Sequence, residues 1–248
     1  MLIITFHLHS ESDNYGFCYP RGNILKLAME MHRKIEVVSF DLDGVLYDGP
    51  SAVYPVAKEL GLEKQFISTL KKVTEKELPL NDSIREGAKI WKGIPVDGTL
   101  DHIIEEMPLM KGAEETVSTL KEWGYTVGCI SSGVSQFFLK PLKRRLDLDF
   151  AYSNTLGEID GKHDGSVEYI MGPPQKAQAA QKVLSEYGLT NEVLASIGDG
   201  ENDIPLFHMS EFSIAFNPES PAVSDAATLT ILSKDLRSIL PHFIKDVL

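Results

Sequence analysis

The stretch VVSFDLDGVLYDG, residues 37–49, runs an apolar segment straight into Asp41, Asp43 and Asp48. Near-continuous hydrophobicity before the acids is the mark of a strand covered on both faces. Asp41 and Asp43 lie two apart where that strand ends, so their side chains leave on the same side. A calcium loop counted from Asp41 fails, because Val45, Leu46 and Ala52 fall where oxygen ligands or the glycine turn are needed. A solvated turn is the other plain reading, and the apolar strand speaks against it. Acids gathered at a strand tip suit a bound cation beside an attacking oxygen.

The pattern returns far along the chain. In IGDGENDIPLF, residues 197–207, a second apolar run ends in acids, with glycines on both sides of Asp199. Asp203 has a structural explanation as an N-cap before a helix with Pro205 near its start, whereas Asp199 has none. The third glycine of a dinucleotide fingerprint is missing. Further strand-like runs fall at 126–130, 150–152, 193–197, 212–216 and 228–231. Helical patterns alternate with them, at 113–123 before Gly124 and at 175–187 between Pro174 and Gly188. The alternation predicts an α/β fold, a doubly wound parallel sheet whose ligands sit at the carboxyl ends of strands. From Asp48 to Met110 only helical spacing is found, at 52–60, 63–76, 82–92 and 97–107, which predicts a helical cap inserted after the first core strand. Paired Asp-Gly steps within 159–165 predict a small hairpin.

Two more signals are ambiguous singly. Ser131-Ser132-Gly133 follows the 126–130 run and precedes a helix expected from about Val134. It reads equally as an anion site or as an ordinary N-cap serine. Lys176 falls in the first turn of its helix, the end where the dipole disfavours a cation. It is either a solvated surface lysine or a functional one.

The chain has 248 residues, 43% of them hydrophobic, enough for one large domain or a core with an inserted lid. Its net charge of -12 argues against nucleic acid and anionic membrane as partners, and requires any anionic substrate to meet a local positive site. Two cysteines, Cys18 and Cys129, are too few for a disulfide framework and favour a reducing, cytoplasmic compartment. Residues 1–33 are expected to lie outside the core, with Met29 or Met31 as alternative starts. The core then comprises 34–48 and 110–248, and the cap 49–109.

Taken together these segments resemble the haloacid dehalogenase superfamily, and within it the phosphoserine phosphatase-like group. Its DxDGxx motif is matched by Asp41 to Leu46, its Ser-Gly strand end by Ser132-Gly133, its isolated lysine by Lys176, and its GDGxND motif by Gly198 to Asp203. The resemblance implies a Rossmann-like core and a phosphatase acting on a small phosphorylated metabolite. It makes Asp41 the nucleophile that forms an aspartyl-phosphate, and Asp43 the general acid and base. Mg²⁺ would be held by Asp41 and Asp199 side chains and the backbone carbonyl of Asp43. Ser132, Gly133, Lys176 and Asn202 would bind the phosphate, and Asp203 would order the surroundings. A carboxylate approaching a phosphate dianion meets about 4 kcal/mol of repulsion per charge pair at ~4 Å and an effective dielectric of ~20. A hard dication offsets this, and no Cys or His cluster favours zinc.

Two positions depart from that group. Pro50 stands where its serine-specific members carry a glutamate for the amino group, and Gly87 where they carry an arginine for the carboxylate. Arg85 and Glu86 are the nearby candidates to replace them. A phosphotransferase or mutase using the same intermediate is the alternative enzyme, and a phospho-acceptor signalling domain the alternative of another class.

Overall fold

The computed structural model describes residues 35–244. The expectations for 1–33, including Cys18 and both alternative starts, lie outside the described residues. Seven strands form one sheet: β1 (Val37–Phe40), β2 (Thr126–Ser135), β3 (Phe150–Ile159), β4 (Lys162–Tyr169), β5 (Leu194–Gly198), β6 (Phe212–Phe216) and β7 (Leu229–Ile231). Their spatial order is β4-β3-β2-β1-β5-β6-β7. Every neighbouring pair is parallel except β3–β4. The chain builds outward from β1 in one direction and, after β4, in the other. The crevice at the carboxyl ends of β1 and β5 is therefore the topological switch point, where sheets of this kind bind ligands.

The unbroken hydrophobicity of β1 has a direct cause. Val38 and Phe40 pack into one cluster with Val127, Cys129 and Ile197, together with the helices α5 (Ala113–Glu122) and α6 (Gln136–Arg145). Val37 faces the other way, onto Ile130, Leu194 and the apolar side of α7 (Pro173–Glu186). Both faces of the strand are covered, so alternation is lost.

Between β1 and α5 lie α1 (Val53–Glu59), α2 (Glu63–Glu75), α3 (Leu80–Ala88) and α4 (Asp101–Glu105). Two of these are shorter than their apolar spacing predicts. The pattern over 82–92 breaks after Ala88 into a 3₁₀ turn, Lys89–Trp91. The pattern over 97–107 begins helically only at Asp101, because Asp97 accepts bonds from the N–H and hydroxyl of Thr99 and holds a turn there. The Asp97 carboxyl lies below its ordinary value for that reason. Backbone bonds tie this segment to the β3–β4 hairpin: Gly93 N–H to the His163 carbonyl (2.7 Å), His163 N–H to the Ile94 carbonyl (2.9 Å) and Val96 N–H to the Gly161 carbonyl (2.9 Å). The hairpin turns at Asp160-Gly161, both with positive φ, 51° and 71°, as a two-residue primed turn requires. Asp164-Gly165 lies within β4 and makes no second turn.

The 126–130 run extends further than its hydrophobicity, through Ser135, and α6 starts at Gln136. Ser131-Ser132-Gly133 is thus irregular extended chain and not the helix start expected near Val134. Buried Asn154 explains how it holds its shape, donating to the carbonyls of Ser132 (2.8 Å) and Val134 (2.9 Å) while accepting from Met171 N–H (2.9 Å). Two short helices complete the core, α8 (Ile204–Met209) and α9 (Pro221–Ala226). None of the described helices is long and apolar enough to cross a membrane.

Phe40 is fully enclosed directly below Asp41. Phe40→Ala is expected to cost about 3–5 kcal/mol, read as a lowered urea midpoint at unchanged slope. A shift below 1 kcal/mol would mean that this strand is not the packed centre of the sheet.

Candidate active site

The ladder between β1 and β5 continues one residue past the strand, with Asp41 N–H donating to the Ile197 carbonyl at 2.8 Å. This brings the first acid against the second acidic loop. Asp41 Oδ1 accepts the N–H of Leu42 (2.7 Å), leaving Oδ2 3.0 Å from Lys176 Nζ. The same ammonium lies 2.7 Å from Asp203 Oδ1. Asp203 Oδ2 accepts the N–H groups of Asp199 and Gly200, each at 3.2 Å. One lysine from α7 thereby joins the tips of β1 and β5. It is neither the solvated surface residue nor a lining residue of the cavity: Lys176 is 0% exposed. Asp203 precedes α8 as expected, but its carboxylate turns back toward the β5 loop and makes no cap bond to α8.

The carboxylates of Asp41, Asp199 and Asp203 offer oxygens all within 4.8 Å of one another. Such crowding is opposed by burial and by like charge. Burial pushes Asp41 well above the usual carboxylate range; Lys176 opposes this, and Asp203 and Asp43 add to it. Burial likewise lifts Asp199 to about 7, reinforced by Asp203 and Glu219. Asp43 rises to about 6 through burial, tempered by the Ala52 N–H that donates to its Oδ1 at 2.5 Å and by Lys176. Burial alone would depress Lys176, but Asp203 and Asp41 outweigh it and keep the ammonium charged.

Two glycines make the crowding sterically possible. At Gly44, φ is 71° and a Cβ would collide with the Asp199 carboxylate; at Gly133 a Cβ would collide with Asp43 Oδ2. Both motifs bring backbone where a side chain would block an acid.

A cavity of about 530 Å³ opens over these groups. Asp41, Asp43, Asp48, Asp199 and Glu219 line it, with Ser132, Gly133 and Asn202. Among the described residues no Lys, Arg or His lines it. The Ser132 hydroxyl is buried without a hydrogen-bond partner. Ser131 was not singled out from sequence. Its hydroxyl accepts the N–H of Gly133 (3.1 Å), and on an extended strand it shares a side with Cys129, whose thiol burial and Asp41 push up. Counting two residues from Cys129 would have found it. Asn154 left no sequence signal, since its partners are backbone groups far along the chain.

An α/β core with acid-tipped strands at its switch point, a buried lysine and an unpartnered serine holds groups suited to hydrolytic chemistry. Residues 35–209 match the haloacid dehalogenase-like hydrolases, and the chain belongs to that family. Within it, the chain is a phosphatase. It is 30% identical over 213 residues to a phosphoserine phosphatase of Methanocaldococcus jannaschii, covering 86% of this chain and 99% of that one. It is 32% identical to a phosphoserine phosphatase of Haemophilus influenzae, covering 75% of this chain and 58% of that longer protein. A solved phospho-aspartyl intermediate analogue of a phosphoserine phosphatase superposes with a TM-score of 0.70 at 30% identity, over 85% of this chain and 100% of that one.

Removing the central ammonium leaves two buried carboxylates facing each other. Lys176→Met is expected to lower stability by about 3–5 kcal/mol in metal-free buffer, measured by urea denaturation. A variant as stable as the parent would show that Lys176 does not hold the two strand tips together.

Proposed function

We propose that this phosphatase hydrolyses a small phosphomonoester through an aspartyl-phosphate on Asp41 and depends on Mg²⁺. The observation that carries this reading is a cavity walled by five carboxylates and, among the described residues, no basic side chain, with the Lys176 ammonium beside Asp41 and outside the lining. Such a cavity repels a phosphate dianion until a dication is present. The donor set fits Mg²⁺: hard carboxylate oxygens of Asp41 and Asp199, with the backbone carbonyl of Asp43 as the further ligand. Asp203 belongs to the same cluster, but its Oδ2 accepts two backbone N–H groups while Oδ1 takes the Lys176 ammonium, which suits an ordering role. Mg²⁺, when bound, neutralises charge between nucleophile and phosphate and polarises the phosphoryl group.

The protein groups then divide the work. An Asp41 carboxylate oxygen attacks phosphorus as the bond from phosphorus to the leaving alcohol breaks. Asp43, whose raised pKa keeps a share of it protonated near neutral pH, gives its proton to the departing oxygen. The resulting Asp43 carboxylate takes a proton from water as that water attacks the aspartyl-phosphate. Inorganic phosphate leaves and Asp41 is restored. Lys176 orients Asp41 and favours its ionised form, while Ser132, Gly133, Asn202 and Ser131 are the groups offered to the phosphate oxygens. Residues 49–109 act as a cap over this reaction, with 35–48 and 110–244, the described part of the expected core, beneath it. The relatives' names make phosphoserine the first substrate to test.

With Mg²⁺ present, Asp41→Asn is expected to lower kcat on p-nitrophenyl phosphate by more than about a thousandfold with an unchanged circular dichroism spectrum. Retained turnover would remove Asp41 from the role of nucleophile. Mg²⁺ at about 100 times its Kd is expected to stabilise the parent by about 2.7 kcal/mol, raising Tm by several degrees, and to do so far less in Asp199→Asn. Equal shifts in both would displace the metal from this cluster.

A further inference from the structure

Beside the catalytic cavity lies a second one of about 420 Å³, partly open to solvent and lined by the helical segment and the core. The two share Leu80, Ser132 and Gly133 as walls, so whatever is esterified to a phosphate at Ser132 extends toward this chamber. Its lining is dominated by aliphatic and aromatic side chains, among them Val56, Phe66, Ile84, Trp91 and Phe137.

Apart from Lys140 on the chamber wall, the charged side chains that could recognise a charged leaving group are missing or already engaged. Pro50 lines the catalytic cavity, and Gly87 lines the chamber with nothing within 4 Å of where a Cβ would stand. Glu86 is bound to Lys72 (2.6 Å) and Lys89 (2.5 Å) and lines neither cavity, and Arg85 is exposed and lines neither. Neither therefore substitutes for the residues absent at 50 and 87. Of the charged residues on the chamber wall, Asp101 is held by Arg144 (2.5 Å) and Lys140 is exposed. An ammonium or carboxylate buried there without a partner would be strongly disfavoured.

Two residues of the wall carry a buried polar atom without a partner: Ser132, whose hydroxyl is assigned to the phosphate above, and His163. His163 is 3% exposed, and its Nδ1 accepts the Gly165 N–H at 2.7 Å, so the neutral ring carries its proton on Nε2. That Nε2–H is buried with no partner. Burial also lowers the His163 pKa, which keeps the ring neutral.

We infer that the substrate is the phosphate ester of an uncharged, largely apolar alcohol that carries a hydrogen-bond acceptor for His163. The apolar body fills the chamber, the acceptor meets Nε2–H, and the phosphate sits at Ser132. This rests on the proposed phosphatase chemistry and adds the class of leaving group to it.

The test compares kcat/KM for benzyl phosphate, ethyl phosphate, phosphoserine and phosphoethanolamine in Mg²⁺ buffer. It adds the positional isomers of methoxybenzyl phosphate against ethylbenzyl phosphates of the same size. Benzyl phosphate is expected to exceed each of the three small esters at least about tenfold, the discrimination an apolar pocket supplies for a few buried carbons. The best methoxy isomer is expected to exceed its ethyl counterpart by about tenfold, as an otherwise unpaired buried donor gains a partner, and His163→Phe should erase that ratio. Gly87→Arg, which adds a cation where there is space, should lower the benzyl-to-phosphoserine ratio at least about tenfold. Phosphoserine or phosphoethanolamine turned over as well as benzyl phosphate by the parent would overturn the inference, as would methoxy isomers no better than ethyl ones. Turnover of p-nitrophenyl phosphate by the same preparation separates the two levels. If that substrate is cleaved, an adverse ratio sinks only the leaving-group assignment; if it is not, the phosphatase chemistry and the assignment fall together.

Discussion

The ammonium of Lys176, locked between Asp41 and Asp203 with no access to water, is the interaction on which the site depends. Parallel strands bring their carboxyl ends to one edge of the sheet, and here β1 and β5 each end in acid. Without a fixed cation those tips would repel in a medium of low polarity. α7 supplies that cation from one side of the sheet. A single Lys cannot neutralise Asp41, Asp43, Asp199 and Asp203 together, which is why burial still lifts Asp41, Asp43 and Asp199 above their ordinary range. The proposed dication would offset the negative charge that remains, and on that reading the site accepts an anionic substrate only once the metal is bound.

Position within the sheet does the rest. β1 and β5 are neighbours in space although about 150 residues separate them in sequence. Strand pairing fixes Phe40 beside both Cys129 and Ile197, so the residues that follow each of these strands converge with no loop needed to carry them. Gly44 and Gly133 then let carboxylates pack against backbone. On the proposed reading the chemistry is concentrated where the chain has least freedom, and selectivity is assigned to the helical segment opposite, where side chains can vary without disturbing the sheet.

Much of this was legible in the sequence. The acids at 41, 43 and 199 announced themselves by following apolar runs, and the covered strands by their lack of alternation. The isolated Lys176 stood out by violating the helix-dipole preference, which proved to mark burial between two acids. Other features were hidden for physical reasons. Residues 131–135 read as a strand end opening a helix, and the cross-strand bonds from Asn154 that help keep them extended leave no local signal. Which serine faces the nucleophile depends on strand parity, and adjacent serines blur that count. Arg85 faces away from both cavities, as its offset of two residues from Gly87 on a helix implies, whereas the capture of Glu86 by two surface lysines could not be read from spacing. The unpartnered nitrogen of His163 arises from a backbone bond two residues away, which no sequence pattern encodes.

The central claim is that Asp41 becomes covalently phosphorylated. Mixing the Mg²⁺-loaded enzyme with substrate, quenching in acid within milliseconds and mapping the modified peptide by mass spectrometry tests it directly. One phosphoryl group on Asp41 that appears and then decays within a turnover is the predicted result. A fully competent enzyme showing no adduct at any time, or one on a different residue, would contradict the account.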